Sequence, residues 1–374
     1  MIEIAGLSPP RFAAVKDAFA ANFAAGEELG ARFTVVEAGE TVLDIWAGHA
    51  DRRHVRAFDD TTLTPVFSTT KAIAALMMAR LVDTGRLDYE QTVASVWPAF
   101  AQAGKGAITV GQMLSHQTGL PGILEPMEPS DWYDWERICD RLAAMTPLWP
   151  PGTASGYQPI TFGYLAGEVF RRIDGRTMGA AFRAELGDPF GLDMWIGLPD
   201  SEAARDAELQ RPSRLPDFGE INDATLAAFL KPWSQPGGKT LDAWRRFELP
   251  SATGHATSLA LARLMGALAN GGWLDGEDIL SPALIAEASR ERIRGQDLVL
   301  PFVMSWAAGF MRNDSVFPWG PGRQSFGHSG WGGSCAFADP ERKLGCAYVM
   351  NKQSTDLLGD GRPRRLIEAV YASL

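Results

Sequence analysis

Strand-like apolar runs at both ends of the chain, with helical periodicity between them, constrain this fold more than any other feature. Near the start, Ala31–Ala38 reads Ala-Arg-Phe-Thr-Val-Val-Glu-Ala, Gly39-Glu40 supplies a turn, and Thr41–Trp46 follows as a second strand. Near the end, strand signals return over Met304–Met311, Ser334–Ala338 and Leu344–Met350, the last two joined by the turn Asp339-Pro340-Glu341-Arg342. This arrangement predicts one sheet built from both termini, with the middle of the chain inserted as a second lobe. The expected class is α/β of the α+β kind: an antiparallel sheet flanked by helices, with a mainly helical lobe inserted. Residues 1–85 and 165–374 are assigned to the sheet domain and 86–164 to the inserted domain.

From Ser68 the period changes. Ile73, Leu76, Met77, Arg80 and Leu81 fall at helical spacing, and Gly85 stands where a left-handed cap ends a helix. Between about 86 and 160 the chain is rich in Pro, Gly and Trp, with helical patches at Val110–Ser115 and Trp132–Met145. A second helix is predicted over Thr161–Asp174, with Phe162, Leu165, Ala166, Val169, Phe170 and Ile173 on one stripe and Gly175 beyond it. Others fall at Ser258–Asn270 and Arg362–Tyr371. Residues 197–250 are polar and rich in Pro and Gly, and read as a long excursion over the surface. That segment and the aromatics Trp132, Tyr133, Trp135, Trp149, Trp233 and Trp244 are expected to line or cover a pocket.

Composition excludes several function classes. With 374 residues, 46% of them hydrophobic, the chain can bury a full-sized core. A net charge of −10 offers no general attraction to nucleic acid or to an anionic membrane, so neither is expected as a partner. Cys139, Cys335 and Cys346 are widely spaced without a CxxC pair, and read as small buried apolar residues rather than a disulfide framework or a zinc site. His49, His54, His116 and His255 form no HxxxH or HExxH pattern, and Gly320-Pro321-Gly322 has neither a P-loop lysine nor Rossmann spacing, so no metal and no cofactor are expected. The first ten residues lack a basic region followed by an apolar one, and no apolar run approaches the ~20 residues that span a bilayer, so the chain reads as soluble and cytoplasmic.

The sharpest chemical feature is Phe67-Ser68-Thr69-Thr70-Lys71. A serine at the start of a helix with a lysine three residues on puts hydroxyl and ammonium one turn apart on one face. The helix N-terminus and partial burial both lower the lysine pKa, so the amine can act as base toward the hydroxyl without a His-Asp pair. Gly327-His328-Ser329-Gly330 looks like a nucleophile elbow but has Trp331 where the glycine two residues after the serine should stand, so Ser329 is not assigned as nucleophile.

The Ser-x-x-Lys motif is not isolated. Pro65–Lys71, Leu81–Asp88, Ile108–Pro121, Pro151-Gly152-Thr153, Tyr157, Phe162-Gly163-Tyr164, Asn270-Gly271-Gly272 and Gly327–Ser334 together resemble the serine beta-lactamase-like superfamily over nearly the whole chain, and most closely its family VIII carboxylesterase branch. The resemblance implies the beta-lactamase/transpeptidase-like fold and a serine hydrolase that cleaves small to medium acyl esters, with beta-lactamase, D-aminopeptidase or acyltransferase activity as the alternatives. A catalytically dead binding protein on the same scaffold is the contrasting class. Ser68 would be the acylated nucleophile, Lys71 its proton-transfer neighbour and Tyr157 a phenol sharing the base role, held nearer its anion than its free pKa of ~10 by polarising neighbours. His328, Ser329 and Gly330 stand where the family carries Lys-Thr-Gly or His-Thr-Gly and would border the site. The main-chain N–H of Trp331 with that of Ser68 would form the oxyanion hole, and Gly332 and Gly333 would let the substrate approach closely. Two departures weaken lactam recognition: Pro159 stands where the family's Tyr-x-Asn places an amide donor, and His328 replaces a lysine.

Overall fold

A computed structural model describes residues 2–313, 316 and 318–374. Among these, nine strands form one sheet: Ala5–Leu7 (β1), Gly30–Glu37 (β2), Glu40–Gly48 (β3), Ile293–Gln296 (β4), Val303–Trp306 (β5), Met311–Arg312 (β6), Phe326–Ser329 (β7), Cys335–Asp339 (β8) and Leu344–Met350 (β9). Their spatial order is β1-β3-β2-β9-β8-β7-β6-β5-β4, and neighbouring strands pair antiparallel. The two ends of the chain meet at the centre, where Leu344 of β9 lies opposite Glu37 of β2 and Met350 opposite Ala31.

Both faces of the sheet are covered, which is why β2 is buried from Gly30 to Val36 rather than on alternate residues. Phe33 and Val35 pack with Phe12, Phe19, Leu366, Ile367 and Val370, joining the first helix, Ala13–Ala24, to the last, Gly361–Ser373. Thr34 and Val36 face the other way, toward the helix Ser258–Ala269: the Thr34 and Ser258 hydroxyls lie 2.6 Å apart. That helix lies so close to the sheet that a Cβ on Gly345 would stand 2.1 Å from the Gly266 nitrogen.

The helix Thr70–Asp83 is buried all round from Thr70 to Ala79, not along one stripe, because it runs between the sheet and the Thr161–Asp174 helix. The apolar run Met304–Met311 is not one strand either. Gly309, at φ +83°, reverses the chain within it, and β5 and β6 form a tight hairpin closed by Ala307 N–H on Phe310 O at 2.9 Å. Ala307, Ala308 and Phe310 are themselves buried, so apolarity did not distinguish turn from strand. Residues 197–250 are more than a surface excursion: Leu198, Phe218, Ala227, Ala228 and Leu249 are buried, at spacings too irregular to show as a period. Cys139, Cys335 and Cys346 are buried and unbonded. Among the described residues, no helix is long and apolar enough to cross a membrane.

Candidate active site

Ser68 lies in a 3₁₀ turn, Phe67–Thr69, that leads into the Thr70–Asp83 helix. The chain enters from the short strand Thr64–Pro65, paired with Gly254–Ala256, and Val66 N–H bonds Gly254 O at 2.8 Å. Phe67 then turns into the left-handed region at φ +47°, at a cost of about 1–2 kcal/mol for a side chain of this kind. Thr70 holds the strained turn: its hydroxyl donates to Phe67 O at 2.5 Å and accepts from Gly254 N–H at 3.0 Å. The planar peptide that fixes the Phe67 carbonyl turns the Ser68 N–H the opposite way.

Lys71 Nζ is 3.1 Å from Ser68 Oγ, 2.9 Å from Pro159 O and 3.0 Å from Ser251 O. It is fully buried, with the rings of Tyr157 and Phe162 beside it. Burial drives its pKa well below that of an ordinary lysine. The two carbonyls suit the two hydrogens of a neutral amine, whose lone pair then faces the Ser68 hydroxyl.

Tyr157 donates its hydroxyl to Ser68 Oγ at 2.7 Å. Its ring stacks on Trp306, with centroids 5.6 Å apart, and meets His116 edge-on at 5.0 Å. The phenol is not held near its anion, contrary to expectation. Burial pushes its pKa up and the nearby Asp297 carboxylate adds to this, while the Ser68 hydrogen bond offsets part. Burial strips solvation from the phenolate more than from the phenol, and that disfavours the anion.

Gly330 packs beneath this turn. Ser334 Oγ bonds Val66 O at 2.9 Å and Thr69 Oγ1 at 3.1 Å, and a Cβ on Gly330 would lie 2.2 Å from Val66 O. The stretch Gly330–Gly333 closes with Gly333 N–H on Gly330 O at 3.1 Å and Gly330 N–H on Ser334 O at 2.7 Å. Among the described residues, the N–H groups of Ser68 and Trp331 have no acceptor. The missing side chains at Gly332 and Gly333 make room for the protein's own atoms and not, as expected, for substrate. Added Cβ atoms there would stand 2.7 Å from Gln353 and 2.2 Å from Asp360, and both glycines have positive φ, +87° and +123°.

His328 is buried with its Nδ1 on Ser329 O at 2.7 Å, so Nδ1 carries the proton, and Nε2 has no partner among the described residues. Burial, then the neighbouring Lys71, pushes its pKa down to about 3, so the ring is neutral. Ser329 is half-buried. Pro159 offers no amide donor, and its carbonyl is one of the two that hold Lys71. Nor does Gln158 replace that donor, since its amide nitrogen bonds Thr118 Oγ1 and Leu120 O instead.

Residues 15–371 match the model of the beta-lactamase family. The chain belongs to the beta-lactamase family. A beta-lactamase-family relative from Mycobacterium tuberculosis (strain ATCC 25618 / H37Rv), the esterase/beta-lactamase LipL, is 34% identical, covering 94% of this chain and 84% of LipL. The fold is that of a penicillin-binding protein homolog from Caulobacter crescentus, at 61% identity and TM-score 0.98, and of a family VIII carboxylesterase, at 44% identity and TM-score 0.94, each covering 100% of both chains.

Several residues of this beta-lactamase-family site carry no motif. Asp297, 3% exposed, accepts from the N–H groups of Tyr157, Val299 and Leu300 on Oδ1 and from Ser155 Oγ and Trp306 Nε1 on Oδ2. In the sequence, its only mark is an acid heading the apolar run Leu298-Val299-Leu300. Phe229 lies between Tyr157 and Trp331, with ring centroids 6.4 and 5.9 Å away, and Phe218 packs on both Phe229 and Trp331. Of the aromatics expected at a pocket, Trp149 packs on Gly156 and Trp244 on Phe67, each next to a site residue. Trp132 and Trp135 pack on Tyr164 in the helical core instead. Tyr133 packs on Phe247, and Trp233 bonds Ile123 O through its indole nitrogen.

Proposed function

We propose that this chain is a serine carboxylesterase that hydrolyses small to medium acyl esters through a covalent acyl-enzyme on Ser68. The observation that carries the reading is Lys71: a buried amine with two main-chain carbonyls for its hydrogens and the Ser68 hydroxyl 3.1 Å away. Ser68 Oγ bonds the acyl carbon while its proton passes to Lys71, whose pKa burial lowers well below that of an ordinary lysine, so that its amine more readily stands unprotonated as a base. The carbonyl oxygen becomes an anion facing the N–H groups of Ser68 and Trp331. Tyr157, protonated at rest, gives its proton to the departing alcohol and is reloaded from the Lys71 ammonium. Water then attacks the acyl-enzyme, loses a proton to the same pair, and Ser68 Oγ recovers its own.

Two features favour esters over lactams. The neutral His328 supplies no fixed cation for a lactam carboxylate, and Gln158-Pro159 supplies no donor for a lactam side-chain amide. Relatives named as esterases, LipL and EstB of Burkholderia gladioli, support the same reading. LipL's name also carries beta-lactamase, which favours a slow lactamase activity on the same serine as the second reading. The aromatic cover of Phe218, Phe229 and Trp331 suits an apolar acyl or alcohol group.

The test is Ser68→Ala, read by p-nitrophenyl butyrate turnover and fluorophosphonate labelling. The Ser68 hydroxyl makes no helix-capping bond, so the variant is expected to fold and melt within ~1 kcal/mol of the parent while losing both activities. More than a trace of ester turnover in folded Ser68→Ala overturns the assignment.

A further inference from the structure

We propose that Arg362 is a positioning residue for the oxyanion donor Trp331, an inference that rests on the acyl-enzyme reading above. Arg362 lies in the first turn of the C-terminal helix Gly361–Ser373, yet its side chain runs into the protein and is 4% exposed. Nη2 donates to Gly332 O at 2.8 Å and to Asp360 Oδ2 at 2.6 Å. Nη1 donates to Lys352 O at 2.7 Å and to Glu28 Oε2 at 3.2 Å, and Nε to Asp360 Oδ1 at 3.1 Å. Glu28 in turn accepts the Tyr348 hydroxyl. Ser354 N–H is the second donor on Gly332 O, at 2.9 Å.

The clamp reaches Trp331 through two rigid peptide planes. The first carries Gly332 O, which Arg362 holds, and Gly333 N–H, which bonds Gly330 O at 3.1 Å. The second carries that Gly330 O and, pointing the opposite way, Trp331 N–H. Fixing Gly332 O therefore fixes the direction of the proposed oxyanion donor. Gly332 and Gly333 bring no side chains of their own to hold this turn, and glycine has the widest backbone freedom of any residue. The anchor has to come from outside. A planar guanidinium with five donors can grip two carboxylates and the carbonyls of Gly332, Lys352 and Glu27 at once, which neither lysine nor an apolar side chain can do. Burying such a charge is a poor route to stability alone, since well-packed apolar residues serve as well or better. Its geometry is what the turn uses.

The experiment compares Arg362→Met with the parent in kcat and KM for p-nitrophenyl butyrate, in Ki for phenylboronic acid, whose tetrahedral adduct on Ser68 uses the oxyanion hole, and in thermal melting. A positioning role predicts a kcat loss of about 10²-fold with KM within about threefold, and a boronate Ki that rises in step. Arg362→Lys, which keeps the charge but gathers its donors on a single nitrogen, is expected to recover roughly tenfold of the loss. A purely structural tie would lower the melting temperature and leave kcat and Ki of the folded enzyme within twofold of the parent, which overturns the proposal. Should Arg362→Met not fold, because Glu28 and Asp360 are left buried and unpaired, the double variant Glu28→Gln/Arg362→Met removes one of those charges and is judged by the same readouts. A parent enzyme that neither turns over the ester nor binds the boronate would overturn the acyl-enzyme reading itself, before any variant is compared.

Discussion

Asp297 Oδ1 accepts the main-chain N–H of Tyr157 at 2.9 Å across 140 residues of sequence. The same carboxylate takes four further donors, so it acts as a buried knot that seats the loop carrying the phenol. Asp297→Ala leaves those donors unpaired and is expected to cost about 3 kcal/mol or more. Asp297→Asn keeps the Oδ1 acceptor but turns an NH₂ toward the Trp306 indole N–H. It should retain most of the stability while lowering kcat about tenfold. The loss of a nearby negative charge should also lower the Tyr157 pKa, measurable as an earlier rise in phenolate absorbance on alkaline titration.

Lys71 should trade stability for activity. The folded state holds its amine with a depressed pKa, whereas the unfolded chain binds a proton there at all pH values below its ordinary 10.5. The unfolded state therefore binds more protons between those limits, and the protein gains stability as pH rises toward 10.5 and loses it as pH falls toward the folded pKa. Lys71→Met removes this penalty. At pH 7 it should melt about 2 °C higher or more, with ester turnover reduced by roughly 10³-fold. In the parent, turnover should fall at low pH as Lys71 takes a proton. A Lys71→Met enzyme that melts lower than the parent would show that the hydrogen bonds of Lys71 to Pro159 O and Ser251 O outweigh the cost of burying its amine.

Phe229 stands between the phenol of Tyr157 and the indole of Trp331, and Phe218 backs it at 4.9 Å. Truncating it opens the cover from the side of residues 226–230. Phe229→Ala should shift the preference along a p-nitrophenyl ester series from butyrate toward octanoate by about tenfold in kcat/KM, through the few buried methylenes the longer chain gains. An unchanged chain-length profile would place the acyl group elsewhere.

Hydrolysis of p-nitrophenyl butyrate should exceed that of a chromogenic cephalosporin by several orders of magnitude in kcat/KM. Each missing contact, the cation at His328 and the amide donor at Pro159, costs about 1–3 kcal/mol in the transition state. His328→Lys restores the first of them and should raise cephalosporin turnover relative to the ester, which competition with the two substrates in one assay would measure.

Local order determined a large part of this protein. The apolar runs that became β2, β3, β8 and β9, and the helices over 70–83, 161–174 and 258–269, follow from period and cap residues close in sequence. Ser68 and Lys71 are three positions apart at a helix start, so their meeting is a property of helix geometry and was legible in five letters. Tyr157 and Trp331 were legible only through the resemblance, since no spacing rule connects them to Ser68. What tertiary structure decided is of a different kind. The Asp297 knot, the cover of Phe218 and Phe229 and the Arg362 clamp are contacts between segments tens to hundreds of residues apart, which exist only once the two ends of the chain have closed the sheet at β2 and β9. The protonation state of Tyr157 belongs there too. The Ser-x-x-Lys pattern already pointed to a lowered Lys71 pKa, but what turned Tyr157 up, against expectation, was the removal of water by the segments packed around it, a cost set by burial and not by residue type.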